Sequence, residues 1–498
     1  MKTTEEKEKS EYTHVIKYTG LFGGVQGITL LASLVRNKLV AVLLGPAGVG
    51  LISIYNTLIT LLNNATNLGI SFSAVRNVSQ LSLEEDAHKL EQYVSVVRSW
   101  SILTAVTGTL ACFALSSLIS FWTFGNYDYT LPVMLLSPMV GLLAISGGEL
   151  AILKGIRKLK EVALISVFTA VSTLFISVPL YYFIGMKGII PSLLLGTAAV
   201  TFITLKYSFR YFPFRLPSCF KKELGEGISM VKLGVSFIAA GILGSGVEYV
   251  VRAYMLKTTG MMDVVGLYNA AYAVTVTYAG MIFVAMDTDY FPRLAAVNKN
   301  GREMNRLVNQ QIEVALILVS PLLVIFLIFL PVILPLLYSS KFIPVVGMAE
   351  CAVLGMLVRA VALPMAYISL AKGNSVFYLF QELVYDVLFI VLVILGFSKY
   401  GLTGSGVAIS LTGAVHLIIL YTCLRIKYKF RISRNVFVIL ALVLPWGVIS
   451  FILTFMERGW VYWTGGIFCV ILSTSVSLYL LQKKTTLLKS LIQKLKRK

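Results

Sequence analysis

The sequence predicts an all-α integral membrane protein of fourteen transmembrane helices, arranged as two six-helix lobes with an extra C-terminal helix pair. Three observations carry that prediction. Of 498 residues, 57% are hydrophobic and 13% charged, against about 25% charged in an ordinary soluble domain, and mean hydropathy is +0.83. Apolar segments of spanning length recur along the whole chain. Basic residues collect in alternate connections. No polar stretch approaches the ~50 residues of a small domain, which excludes a soluble enzyme, an attached catalytic domain and a disordered protein.

The apolar segments are 16–43, 49–74, 95–122, 130–153, 161–184, 188–209, 232–256, 266–289, 311–337, 345–370, 376–397, 402–424, 435–456 and 461–481. Each meets the roughly 20 residues that a helix needs to cross the hydrocarbon. An even count puts both termini on one side. With that side cytoplasmic, the inside segments hold 34 of the 43 Lys and Arg and the outside loops five. With residues at the cytoplasmic span ends counted among the inside segments, four more, Arg36, Lys38, Arg252 and Arg359, lie deeper within spans. The positive-inside rule therefore places the N- and C-termini in the cytoplasm, and the net charge of +20 reads as loop bias rather than nucleic-acid binding. Cys112, Cys219, Cys351, Cys423 and Cys469 form no metal-ligand spacing, and three histidines add little; no metal site or disulfide framework is expected. The polar start, MKTTEEKEKSEYTH, does not read as a cleavable signal peptide.

The inside connection KYSFRYFPFRLPSCFKKELGEGISMV, residues 206–231, divides the chain. VRNKLVAVLLGPAGVGL and VRAYMLKTTGMMDVVGL both begin Val-Arg and end Val-Gly-Leu, at an offset of 216 residues. The repeat implies an N-terminal segment (1–15), a first lobe of spans 1–6 (16–209), a linker (210–231), a second lobe of spans 7–12 (232–424), added spans 13–14 (425–481) and a basic tail (482–498). Both lobes start inside, so the repeats are parallel, an arrangement in which transporters place substrate at the repeat interface.

LGPAGVGL at 44–51, preceded by Lys38, then Tyr55-Asn56, SAVRNVSQ at 73–80 and TDYFPRL at 288–294, resemble the polysaccharide-transporter branch of the multidrug/oligosaccharidyl-lipid/polysaccharide exporter superfamily. The resemblance runs over essentially the whole length. It implies two six-helix lobes around a central cavity lined mainly by spans 1, 2, 7 and 8. It also implies a flippase that carries undecaprenyl-diphosphate-linked oligosaccharide units (O-antigen or another surface polysaccharide) from the inner to the outer leaflet of the bacterial inner membrane. Partners on this reading are that lipid-linked cargo, membrane lipids, a polysaccharide polymerase and a chain-length regulator. No nucleotide, nucleic acid or cofactor is expected, beyond a coupling ion, proton or sodium.

A diphosphate head needs fixed cations and a wet path, because an unpaired charge in hydrocarbon costs several kcal/mol or more. The candidates are Arg36, Lys38, Arg252 and Arg359. Arg36 sits nine residues before Gly45, so ~13 Å inside the end of its helix at 1.5 Å per residue. It has no acid within four residues; it serves the cavity or snorkels to headgroups. Arg252, the repeat-mate of Arg36, has Glu248 four residues earlier. That spacing suits an ion pair, either structural or exchanged for diphosphate as a switch.

Sugar hydroxyls need polar groups. Asn56, Thr60, Asn63 and Asn67 follow helical period on span two, with Asn64 beside them; they contact sugar or hydrogen-bond a neighbouring helix. Tyr268, Asn269 and Tyr272 on span eight are stacking or anchoring positions. Glu382 and Asp386, four apart on span eleven, share a face that could hold a proton or cation. Asp287 and Asp289 read as gate contacts, and Glu149, Glu313 and Glu350 as interfacial. The tail KKTTLLKSLIQKLKRK places Leu488, Leu491, Ile492 and Leu495 on one stripe, an anchor on the anionic leaflet. Two alternatives stay open: an ion-coupled multidrug or metabolite antiporter of the same superfamily, which would favour buried acids, and an integral-membrane glycosyltransferase or polymerase, which would need a larger outer loop.

Overall fold

The computed structural model describes residues 4–83, 87–214, 220–278, 280, 283, 290, 291 and 293–484. Every regular element among them is helical. Helix α1 spans Thr4–Thr66, α2 Ile70–Leu83, α3 Ala87–Phe124, α4 Thr130–Gly155, α5 Leu159–Ile184, α6 Ile189–Ser208, α7 Phe220–Glu226, α8 Ile228–Thr259 and α9 Met262–Tyr272, which continues as a π turn, Ala273–Tyr278. Then follow α10 (Gly301–Leu337), a 3-10 turn (Ser340–Val345), α11 (Val346–Val353), α12 (Gly355–Ala371), α13 (Ser375–Tyr428), α14 (Arg434–Leu453) and α15 (Trp460–Lys484).

Eight of the described helical segments are long and apolar enough to cross a membrane, or nine if the bent pair Ser340–Val353 and Gly355–Ala371 forms one span. Three are too long to be single crossings. At 1.5 Å per residue, the 54 residues of α13 extend ~80 Å, far beyond a ~30 Å hydrocarbon core. Their breaks lie where the sequence separates paired spans. α1 breaks at Gly45 (φ 65°, ψ −170°) and α13 at Gly401 (φ 60°, ψ −144°). Gly185 (φ 62°, ψ −136°) caps α5, ahead of the 3-10 turn Gly185–Gly188 that leads into α6. The expected segment 266–289 runs into residues outside the description, so the count of fourteen stays an expectation.

The three breaks share a pattern, Gly-x-x-Gly: Gly45/Gly48, Gly185/Gly188 and Gly401/Gly404. The first glycine takes a backbone conformation open only to glycine. The second lies where a Cβ would strike what is packed behind it: Leu44, the Leu180 carbonyl and the Gly396 carbonyl respectively. Gly396 and Gly404 face each other, so the arms of α13 run antiparallel and in contact from the turn onward. An added Cβ at Gly401 would meet nothing within 4 Å, so Gly401→Ala isolates the backbone cost. A loss of about 1–3 kcal/mol is expected, read as a lower unfolding midpoint in detergent, whereas an unchanged midpoint would mean that the turn is not held in this conformation.

The chain divides into two compact units, Met1–Val265 and Gly266–Lys498. In the first, α3 and α4 form the most extensive helix pair, and α1 packs on α5 and α8. Small residues permit the close approach that substitutes for a hydrophobic driving force in lipid: Gly141 and Gly148 of α4 sit against Thr109 and Ser101 of α3. At the end of α1 the chain turns through Leu68 and Gly69, both at positive φ, and Gly69 lies directly on Gly234 of α8. The second unit has a continuous apolar core built on α10, α12, α13 and α14, with Ile312, Leu316, Leu323 and Leu327 of α10 fully buried.

Candidate functional site

In the first unit, the span-two stripe lies on the second arm of α1. Asn56 and Thr60 are exposed, Asn63 is half-buried and Asn67 buried. Its exposure therefore falls toward the Gly69 turn. Asn67 donates to the Ser71 hydroxyl at 3.4 Å. Oδ1 of both Asn63 and Asn67 is buried without a hydrogen-bond partner among the described residues. The interhelical role falls instead to Asn64, whose amide donates to the Gly241 carbonyl at 3.1 Å and to the Ser245 hydroxyl at 3.2 Å. Asn64 thus ties α1 to α8, Asn67 is packed against α2, and Asn56, Thr60 and Asn63 make no hydrogen bond to a neighbouring helix among the described residues.

On the first arm of α1, Arg36 is half-buried and makes no ion pair with a described residue. It lies within electrostatic range of Tyr181 of α5, a buried phenol whose oxygen accepts from Ser192 at 2.8 Å. Lys38 is half-buried and already engaged. Arg252 has the expected partner: Nη1 donates to Glu248 Oε2 at 3.0 Å and to the Glu248 carbonyl at 3.1 Å. The Arg252 side chain is 5% exposed and that of Glu248 41%. The arginine is therefore locked into packing, and its carboxylate partner is open to surroundings. Arg36 and Arg252, equivalent in the repeat, differ in this respect.

A further buried pair escaped the sequence reading. Arg98 of α3 meets Glu149 of α4 through Nε–Oε1 at 2.7 Å and Nη2–Oε2 at 3.2 Å. Arg98 also donates to the carbonyls of Phe212 and Pro213 and lies 4.8 Å from the centre of the Phe209 ring. Ser208 donates to Glu149 at 2.5 Å. Glu149 was expected at the interface; it is 4% exposed, because α3 and α4 are antiparallel neighbours and the start of one meets the end of the other. Glu313 and Glu350, also expected there, are buried as well. Downstream, Glu223 of α7 accepts from Ser95 and Ser99, and Trp100 donates to the Leu224 carbonyl. Between them Tyr211 donates to Glu161 at 2.6 Å, which raises the phenol's pKa. The connection after α6 is thereby clamped to α3 at both ends.

In the second unit, Tyr268 is 2% exposed and stacks on Tyr272 at 5.8 Å. Tyr272 meets Phe389 edge-on at 6.4 Å, and Tyr385 adjoins both Phe389 and His416, at 6.0 and 5.2 Å. Asn269 is half-buried beside them. Arg359 of α12 is exposed, lies 5.5 Å from the centre of the Phe283 ring and is in electrostatic range of Glu382 and Tyr385. Glu382 in turn neighbours Asp386, which is 9% exposed. His416 is hydrogen-bonded to the Gln381 backbone, and the Gln381 side chain accepts from Ser369 at 3.0 Å. Arg359, Glu382 and Asp386 are thus electrostatic neighbours, with Tyr385 between Arg359 and the His416 imidazole. Tyr385 and His416 were not anticipated; an apolar span leaves no periodic signal for a single histidine. Asp287, Asp289 and the tail stripe lie outside the described residues.

A sequence model of the polysaccharide biosynthesis protein family matches residues 39–347. The chain belongs to this family. It is 25% identical over 361 residues to the lipid III flippase of Escherichia coli strain K12, covering 70% of this chain and 84% of that protein. The Shigella flexneri lipid III flippase matches equally. Among solved structures, the lipid II flippase MurJ in an inward closed conformation aligns with a TM-score of 0.68 at 14% identity, covering 93% of this chain and 99% of that one. An inward-facing multidrug resistance MATE family transporter of the MOP superfamily aligns at 0.66 and 13%, covering 80% and 94%. The fold is therefore that of MOP-superfamily transporters, and this family member is a multi-pass membrane protein.

Proposed function

We propose that this polysaccharide biosynthesis family member is a flippase for undecaprenyl-diphosphate-linked oligosaccharides, moving an O-antigen or related repeat unit from the inner to the outer leaflet of the bacterial inner membrane by alternating access. The observation that carries the reading is Arg36, a guanidinium ~13 Å within an apolar helix arm and without an ion-pair partner among the described residues. Such a residue is costly in a membrane, and a charged ligand would offset that cost. Its planar fork suits a phosphate. The uncommitted Asn56, Thr60 and Asn63 on the adjoining arm supply groups for sugar hydroxyls. Membership of the family and the similarity to the lipid III flippases of E. coli and S. flexneri support the same cargo class.

In this account Arg36 receives the diphosphate while the isoprenoid tail stays in lipid; Lys38, already engaged and two positions on, points to the other side of the helix. Glu248 holds Arg252 until an incoming anion competes for it. Asn67 closes the polar stripe at its buried end, and in the second unit the half-buried Asn269 and Tyr272 are the sugar-contacting positions, while Tyr268 packs behind them. Arg359, Glu382 and Asp386 form the ion-responsive group, which takes up a proton or sodium ion and so changes the charge that Arg359 faces. Both termini are cytoplasmic. The polymerase and chain-length regulator act after the cargo has crossed.

Two outcomes test the reading. In a strain without this protein, extracted lipid is expected to contain a complete diphosphate-linked repeat unit that the wild type does not accumulate; normal lipid pools and normal surface polysaccharide, with no redundant transporter, would favour the antiporter reading suggested by the MATE-like fold. In vesicles carrying Asp386→Asn, the stimulation of transport by an imposed proton or sodium gradient is expected to disappear. Unaltered stimulation would remove Asp386 from ion coupling and leave Arg36's role standing.

A further inference from the structure

The two arms of α13 enclose, next to their turn, a groove of about 630 Å³, within the ~300–1,000 Å³ of small-molecule sites. Its floor is Gly396, Gly404 and Ala408, whose small size brings the arms together. Its walls include Leu395 and Leu411, about half exposed. At the turn end stands Lys399, which is exposed and has no ion-pair partner among the described residues.

Length and charge together identify the occupant. The lining runs from Leu392 to Lys399 on one arm and from Thr403 to Leu411 on the other, ~11–12 Å at 1.5 Å per residue. One leaflet of a ~30 Å core is ~15 Å deep. The groove therefore begins at the membrane surface and ends within a single leaflet. A second transmembrane helix would need a contact face through the whole core. A lipid needs an apolar trough one leaflet deep and, if anionic, a cation at headgroup level. We propose that this groove binds one anionic phospholipid, with an acyl chain between the arms of α13 and the headgroup phosphate on Lys399. The site is separate from the proposed flipping machinery and does not depend on the cargo.

The test uses the full-length protein, delipidated in detergent and titrated with phosphatidylglycerol or with phosphatidylethanolamine of the same acyl chains, with bound lipid counted by native mass spectrometry. Wild type should retain one phosphatidylglycerol more tightly than phosphatidylethanolamine. Lys399→Ala should weaken phosphatidylglycerol about fivefold, as one interfacial lysine contributes, and leave phosphatidylethanolamine unchanged. Val407→Trp adds bulk at an exposed wall position and should weaken both lipids; Leu395→Trp does the same from the facing arm if the first variant misfolds. Lys187→Ala, at the turn between α5 and α6, is the control and should change neither. Equal wild-type affinity for the two lipids, no effect of Lys399→Ala, or an equal loss in Lys187→Ala would overturn the assignment.

Discussion

Replacing Glu149 by alanine is expected to cost about 3–5 kcal/mol of stability, the penalty for leaving one member of a buried ion pair alone. Arg98 and Glu149 side chains are 9% and 5% exposed, so solvent screening offers little relief. The loss would not stop at the pair. Ser208 would lose its acceptor, and Arg98 would keep the carbonyls of Phe212 and Pro213 and the Phe209 ring but no countercharge. Glu149→Gln keeps the shape and one acceptor and should fall between wild type and alanine. Unfolding midpoints in detergent, with the yield of folded protein from membranes, read the effect. A Glu149→Ala protein as stable as wild type would mean that this network is relaxed in the membrane.

Arg36→Ala should leave the fold intact and reduce transport about 10- to 100-fold, the range expected from losing a charge-assisted hydrogen bond worth ~1.5–3 kcal/mol. The fold is spared because Arg36 is half-buried and holds no described ion pair. Arg36→Lys retains the charge without the bidentate fork and should recover part of the activity. Arg252→Ala is predicted to behave differently. It frees Glu248, leaving an extra negative charge beside the path, and it removes a packed guanidinium, so transport and stability should fall together. Surface polysaccharide output, normalised to folded protein, separates the two patterns. Wild-type output from Arg36→Ala at normal expression would remove the phosphate role.

The architecture was legible because hydrocarbon imposes a simple demand: every backbone polar group must be satisfied internally, so apolar runs of spanning length become helices. The Glu248–Arg252 pair was legible for a related reason, since a four-residue spacing is a local fact about a helix. Arg98 and Glu149 are 51 residues apart. Their meeting depends on how α3 and α4 lie together, and no local spacing encodes it. The same holds for Asn64, whose partners lie 177 and 181 residues away. The stripe on span two was readable as a stripe, but which member bonds to a neighbour and which stays open is decided by the approach of α8. Tyr268 illustrates the opposite limit: it looked available for stacking, and it is buried at 2% exposure with its ring stacked on Tyr272. The Gly-x-x-Gly turns stand between these cases. The letters are visible in the sequence, yet their common role emerges only when positive φ at the first glycine is set beside close packing at the second.

The central claim is movement of a lipid-linked sugar across the membrane. It is tested most directly by sidedness. Inside-out and right-side-out vesicles from a strain with the polymerase step blocked would be exposed to an impermeant reagent that oxidises sugar diols, and the lipid-linked repeat unit would be recovered and weighed. With the wild-type protein present, the unit should be modified in right-side-out vesicles. Without the protein, or with Arg36→Ala, it should be modified only in inside-out vesicles. Equal modification in right-side-out vesicles with and without the protein would contradict the account.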